Sequence, residues 1–244
     1  MILVADLGNS AVKIGLFENG KLVLKETVDV KKIDEIDLEK MINRNELEGA
    51  IFSSVVPEKD EDLYARISKV TGHIIKLTYA NAGIRIMYKN PAQLGADRIA
   101  HAHFVKHYVK VDSIVIDIGT ALTVDAILGD GTFLGGAILA APATILEALV
   151  SRTSRLKRIE LDLWPSSFIG KSTEECLKIG LLYGTVGAIS HIAKNIEMEK
   201  GRVFKKLLTG RGGKFFEEKL IDFHYNPDLN LYGLFAAFND IKRR

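Results

Sequence analysis

Two short segments carry residue types suited to phosphate chemistry. Asp6-Leu7-Gly8-Asn9-Ser10 and Asp117-Ile118-Gly119-Thr120-Ala121 stand at an offset of 111 residues, and each follows an apolar run. An Asp at a strand end can face a cleft and hold a divalent cation, directly or through water. The glycine lets backbone approach a phosphate, and the turn amides can converge on its oxygens. One copy alone is equally well an ordinary hairpin with polar residues. Two copies in the same strand context favour phosphate binding and a duplicated domain with a cleft between the copies.

Other candidates are weaker when taken singly. Gly95-Ala96-Asp97-Arg98 opens an apparent helix over 99–108. Asp97 near a helix N-terminus is stabilised by the dipole, so a cap is the simpler local reading. The functional reading is a general base at a cleft, with Arg98 as an anion ligand. Tyr88-Lys89-Asn90-Pro91 precedes it and contains a turn signal. Thr209-Gly210-Arg211-Gly212-Gly213 joins a strand to a helix and would suit the adenosine part of a nucleotide; a flexible turn is the plainer reading. His103 and His107 share a helix face at i,i+4, but no His-Glu-x-x-His pattern surrounds them, so they read as packing or surface residues, as does His101. Cys176 reads as a small hydrophobe.

The elements that would position these residues follow from periodicity. Strands are expected over 2–6, 11–17 and 21–30, with Asn19-Gly20 turning the hairpin. A helix is expected over 33–43, a strand over 50–55, a helix over 58–70 and a strand over 73–77. The pattern then restarts, with strands over 113–116, 122–128 and 132–138. Helices follow over 143–150 and 172–198, then a strand over 203–208 and helices over 214–219 and 232–239. Gly180, Gly184 and Gly187 fall within the long helix, where each costs ~1 kcal/mol relative to Ala. Close helix packing is at least as good a reason for them as a ligand.

Composition narrows the classes. The chain has 244 residues, 47% apolar and 26% charged, which excludes disorder and coiled-coil or collagen-like architecture for the whole chain. Its 33 basic and 31 acidic residues leave a net charge of +2, too little to predict a nucleic-acid partner. A single cysteine forbids an intramolecular disulfide and fits a reducing compartment. The N-terminus lacks a signal-peptide pattern, and no stretch reads as long enough to span a bilayer, so a cytoplasmic protein without a membrane partner is expected.

Together these motifs resemble a known family. Paired Asp-x-Gly segments resemble the acetate and sugar kinase, Hsp70 and actin superfamily. The ordered set Asp6–Ser10, Tyr88 with Asn90-Pro91, Gly95-Ala96-Asp97-Arg98, Asp117–Thr120 and Gly135-Gly136-Ala137-Ile138 resembles type III pantothenate kinase, essentially from end to end.

The resemblance implies an α/β protein of two ribonuclease-H-like (actin-like ATPase) halves, 1–112 and 113–244, with a nucleotide cleft between them. It implies phosphorylation of pantothenate to 4′-phosphopantothenate by ATP with Mg²⁺, the first step of coenzyme A biosynthesis. It also implies a monovalent cation, K⁺ or NH₄⁺, and a homodimer with the pantothenate site near the subunit interface. Carried over residue by residue, Asp97 is the catalytic proton acceptor. The ATP segment is Asp6, Leu7, Gly8, Asn9, Ser10, Ala11, Val12 and Lys13, with Thr120. Pantothenate contacts fall on Tyr88, Gly95, Ala96, Asp97, Arg98 and Thr173. Asp117 binds the monovalent cation, and Asp6 helps hold Mg²⁺ through the nucleotide. Three segments depart from the family pattern: Leu139-Ala140-Ala141-Pro142, Thr153-Ser154-Arg155-Leu156-Lys157, and Arg211 within the glycine-rich nucleotide turn.

Overall fold

The computed structural model describes residues 1–42 and 47–243. Its first sheet is built on β1, Ile2–Leu7, which is buried along its whole length. Such a strand must be central, and Asp6 is its one polar residue. β2 (Ala11–Glu18) pairs antiparallel with it, and β3 (Lys21–Asp29) pairs antiparallel with β2. Asn19 and Gly20 turn this hairpin at φ 49° and 79°, as Asn-Gly predicts. β4 (Gly49–Ser54) runs parallel to β1, and β5 (Ile74–Lys76) parallel to β4, giving the order β3-β2-β1-β4-β5.

The helix expected over 33–43 is not continuous. A 3₁₀ turn covers Val30–Glu35 and a short helix, α1, covers Leu38–Met41. Two aspartates account for the break. Asp29 accepts from the Lys31 amide and Asp37 from the Lys40 amide, so each starts a turn of its own. The expected end of that helix, Asn43, lies outside the described residues. α2 (Asp60–Ile67) follows a Pro57 turn, with Leu63 and Ile67 on its buried face and three acids in its first turn.

The second sheet repeats the first. β6 (Ser113–Ile118) has the bounds of β1 at the same 111-residue offset. β7 (Ala121–Ile127) and β8 (Phe133–Ala140) follow, then β9 (Lys205–Thr209) parallel to β6 and β10 (Phe223–Tyr225) parallel to β9. The order β10-β9-β6-β7-β8 is that of the first sheet read from its other edge. β10 has no counterpart among the strands expected from the sequence.

Between the sheets' strands come α3 (Ala96–Phe104), α4 (Pro142–Arg152), α5 (Thr173–Lys178), α6 (Gly184–Lys200) and α7 (Gly213–Phe216); α8 (Leu229–Lys242) closes the chain. The π-helical turn Ile179–Tyr183 joins α5 to α6, so one helix runs over Thr173–Lys200. By length and composition that helix could cross a bilayer, although no such stretch was expected from the sequence. Its charges sit near its ends and leave a long apolar middle, mostly outside the core. Gly180, Gly184 and Gly187 have no atom within 4 Å of where a Cβ would stand. Close packing within this chain is therefore not their reason.

The chain divides into two compact units. One comprises Met1–Val111, Ile127–Gly135 and Asp228–Arg244; the other comprises Asp112–Ala126 and Gly136–Pro227. In the first unit α8 packs on the sheet, with Phe17 stacked on Phe235 at 4.4 Å and edge-on to Tyr232 at 5.1 Å. It also meets α3 so closely that a Cβ on Gly233 would run into the Ala100 carbonyl.

A charged cluster joins the same two helices. Asp240 accepts from Lys106 at 2.7 Å and lies 3.0 Å from His107 Nε2. Burial opposes its charge, but the Lys106 and His107 hydrogen bonds prevail and hold its pKa down at about 2. His103 is wholly buried, and desolvation pushes its pKa down to about 4 despite Asp240 and the Ala82 carbonyl. Between pH 6.5 and 4 the unfolded chain therefore binds more protons at His103 than the folded one, and stability falls as pH is lowered through that window. Urea unfolding at several pH values, with EDTA present, is expected to show this loss, flattened in His103→Gln. An unchanged pH slope in the variant would assign the loss elsewhere.

Candidate active site

In the first unit, strand ends and α8 converge on Asp6. Its carboxylate is nearly buried, with 8% of the residue exposed. Ser53 Oγ, near the end of β4, donates to Oδ1 at 2.8 Å, and Asn230 Nδ2, on α8, donates to Oδ2 at 3.0 Å. His101 Nε2 lies 2.9 Å from Asn230 Oδ1. Because that amide oxygen only accepts, Nε2 carries the proton in this network. A chain thus runs from α3 through α8 to the end of β1, with both Asp6 oxygens held. Each oxygen keeps a further lone pair, as a hard divalent cation or its water requires.

The turn after Asp6 is fixed by backbone bonds. Gly8 N donates to the Ala11 carbonyl at 3.0 Å, and Val30 N to the Ser10 carbonyl at 3.2 Å. Asn9 and Ser10 are exposed and Gly8 partly so. Leu7 and Val12 are register partners within the core, so they offer a ligand only their backbone. Asp6 pairs with Lys13, which puts a half-buried ammonium-bearing side chain on the rung of the carboxylate. Ala11 stands between them at the start of β2.

Gly95 is the N-cap of α3 and offers no side chain to cap it. Asp97, in the first turn, accepts from the Arg98 amide at 2.8 Å through Oδ1. The capping reading is therefore correct for one oxygen. A Cβ on Gly95 would lie 2.5 Å from that oxygen, so the glycine lets the carboxylate fold back. Ala96 is buried beside it.

Arg98 is only 4% exposed. Its Nη1 donates to the Tyr88 hydroxyl at 2.8 Å, and its guanidinium lies 5.2 Å from the Phe133 ring centre and 5.8 Å from that of Tyr88. Tyr88 meets Phe133 edge-on at 5.5 Å. A cation so buried needs stacking and hydrogen bonds to persist, and it concentrates positive potential beside Asp97. Tyr88, Gly95, Ala96, Asp97 and Arg98 are thus gathered in one place. Phe133, Ser53, Asn230 and His101 are additional members of these networks. Of these, His101 is singled out by the sequence only as a packing or surface residue, and Asn230 leaves the trace of a lone amide between Leu229 and Leu231.

In the second unit, Asp117 is the penultimate residue of β6 and the register partner of Thr209 on β9. Gly119 N donates to the Ala121 carbonyl at 2.9 Å, the counterpart of the Gly8 turn with one residue fewer. Thr144 Oγ1 donates to the Thr120 carbonyl at 2.7 Å. Thr209 is fully buried, and its Oγ1 has no hydrogen-bond partner among the described residues. Gly210, at φ 84°, lies where a Cβ would strike Asp117 Oδ1 and the Ile118 carbonyl, and Gly212 N donates to that carbonyl at 2.9 Å. The glycine-rich turn therefore folds back on the end of β6, with Arg211 exposed. Trp164 stacks on Phe215 at 4.9 Å just beyond it. Thr173 opens α5 in this unit, exposed behind the Ser172 cap.

Residues 2–195 match the family model described as type III pantothenate kinase. A type III pantothenate kinase of Desulforapulum autotrophicum is 33% identical over 225 residues, covering 86% of this chain and 85% of its own. Among solved structures, a Baf family protein from Campylobacter jejuni, described as a transcriptional activator, superposes at TM-score 0.65 with 22% identity, covering 99% of this chain and all of that one. The activator of 2-hydroxyisocaproyl-CoA dehydratase from Clostridium difficile, solved with bound ADPNP, superposes at TM-score 0.59 with 13% identity over 99% and 96% of the two chains. These structural likenesses, with the repeated sheet order, show a duplicated actin-like α/β fold. The family match includes both Asp-x-Gly turns and the Gly95–Arg98 segment, and on it the chain belongs to the type III pantothenate kinase family.

Proposed function

We propose that this protein phosphorylates the primary hydroxyl of pantothenate with ATP, giving 4′-phosphopantothenate and ADP, and that Asp97 is the base. The observation that carries the reading is the Gly95–Arg98 turn, which sets a half-buried carboxylate next to a buried, hydrogen-bonded arginine. Pantothenate has a hydroxyl to deprotonate and a carboxylate to pair with a guanidinium fork. As the hydroxyl oxygen attacks the γ-phosphorus, its proton passes to Asp97 and the bond to the bridging oxygen of ADP breaks. Tyr88 holds Arg98 in the orientation that meets the substrate carboxylate. Thr173 is assigned a further pantothenate contact on the resemblance alone.

The nucleotide phosphates are assigned to the Asp6–Lys13 and Thr120 turns. Asp6, with both oxygens anchored by Ser53 and Asn230, fits a Mg²⁺ that arrives with ATP. That ion would neutralise charge on the phosphates. Asp117, lying against the backbone of Ile118 and Gly210, fits a K⁺ or NH₄⁺ site, whose partners are oxygens. The adenosine is assigned to the Thr209–Gly213 turn. A homodimer is supported by the apolar helix Thr173–Lys200, mostly outside the core, whose three glycines pack against no other element among the described residues. The near-neutral charge and the reducing-compartment cysteine count support a cytoplasmic enzyme without nucleic acid.

Mass-spectrometric detection of phosphopantothenate after incubation with Mg²⁺, ATP and pantothenate tests the reaction. ATP binding without that product would reject pantothenate as the substrate. The base's seat gives a second expectation. In Gly95→Ala the new methyl must push the Asp97 carboxylate aside. A displacement below 1 Å is expected to lower kcat about tenfold, with ATP affinity retained. Steady-state kinetics check this, and an unchanged kcat would show that the Asp97 position is not critical.

A further inference from the structure

We propose that His103, His107 and Asp240 form a binding site for one divalent transition-metal ion, zinc first among them, which clips α8 to α3. Asp240 comes from α8; His103 lies in the last turn of α3, and His107 in the π-helical turn Val105–Val109 that continues it. The three ligand atoms lie within 4.8 Å of one another.

His103 carries the argument. It is wholly buried, and its Nε2 is 3.0 Å from the Ala82 carbonyl oxygen. A carbonyl only accepts, so Nε2 holds the hydrogen and Nδ1 presents a lone pair. Nδ1 is buried without a hydrogen-bond partner among the described residues, and it faces Asp240 Oδ2 at 3.4 Å. Two lone-pair atoms thus face each other out of water. With the other tautomer the conflict would move to Ala82. A cation between Nδ1 and Oδ2 removes it.

The distances suit such an ion. Metal–ligand bonds of 2.0–2.1 Å place tetrahedral ligand atoms about 3.3 Å apart. His103 Nδ1 and His107 Nε2 lie 3.4 and 3.0 Å from the shared Asp240 oxygen. The Ala82 carbonyl already supplies the outer hydrogen bond that fixes the tautomer of a ligating histidine. Two imidazoles and a carboxylate favour zinc, cobalt or nickel over Mg²⁺ and Ca²⁺, which prefer oxygen. Lys106 competes, since its ammonium lies 2.7 Å from the same Asp240 oxygen. Its side chain is about one-third exposed, as is that of His107, so it can swing out as an ion enters from that side.

The test uses the full-length chain stripped with EDTA and titrated with Zn²⁺ against a chromophoric chelator. One equivalent bound with an affinity on the order of micromolar or tighter, with a raised Tm, is expected. Co²⁺ should give the visible spectrum of a low-symmetry nitrogen–oxygen site. His107→Gln and Asp240→Asn should each weaken Zn²⁺ binding at least about tenfold. Lys106→Gln, which removes the competing cation and no ligand, should match or exceed wild-type affinity. Binding only at millimolar Zn²⁺, or binding unchanged in both ligand variants, would overturn the proposal.

Discussion

Asp97→Asn is expected to lower kcat about 10²–10⁴-fold, the usual contribution of a positioned general base. The substitution is nearly isosteric. Its amide oxygen can still accept from the Arg98 amide, the contact Asp97 makes at 2.8 Å, so α3 keeps its first turn. What is lost is a group able to take the proton of the attacking hydroxyl. Circular dichroism and Tm should therefore match wild type, and pantothenate KM should change far less than kcat. Turnover close to wild type in a folded variant would remove Asp97 from the chemistry.

Arg98→Gln should act on binding instead. The guanidinium is buried, donates to Tyr88 and lies within 6 Å of the Tyr88 and Phe133 ring centres. Losing one member of a buried, charge-assisted pair costs about 2–5 kcal/mol, or at least about 30-fold in affinity. Pantothenate KM is expected to rise by that factor, with ATP KM nearly unchanged. Arg98→Lys should recover only part of the loss, because an ammonium lacks the planar fork. Tyr88→Phe keeps the ring and removes only the hydrogen bond, so its effect should be several-fold. An Arg98→Gln enzyme with wild-type pantothenate KM would place the substrate carboxylate elsewhere.

Much of this architecture was legible because the duplication wrote it twice. An apolar run ending in Asp-x-Gly identified β1 and β6, and Asn-Gly identified the first hairpin turn. The Gly95–Arg98 segment was legible as a motif, but not its physical basis. Gly95 is required by where the Asp97 carboxylate lies, which no spacing reveals. Asn230 meets Asp6 across 224 residues of chain, and Phe133 reaches Arg98 from a hairpin tip. Such contacts are products of tertiary packing and have no local period. The break between Val30–Glu35 and α1 shows local chemistry overriding a pattern, since capping aspartates outcompete apolar spacing. The glycines of Thr173–Lys200 have no local explanation, since no atom among the described residues outside their own helix backbone comes within 4 Å of their Cβ positions.

We propose Asp97 as the base in a K⁺-assisted transfer from ATP to pantothenate. Its most direct test is pantothenate-dependent ADP release with Mg²⁺-ATP, measured with and without K⁺, for wild type beside Asp97→Asn. Turnover is expected to require pantothenate and rise with K⁺ in the wild type, and to collapse in the variant in both conditions. Pantothenate-dependent turnover that survives in Asp97→Asn, or none in the wild type despite bound ATP, would contradict it.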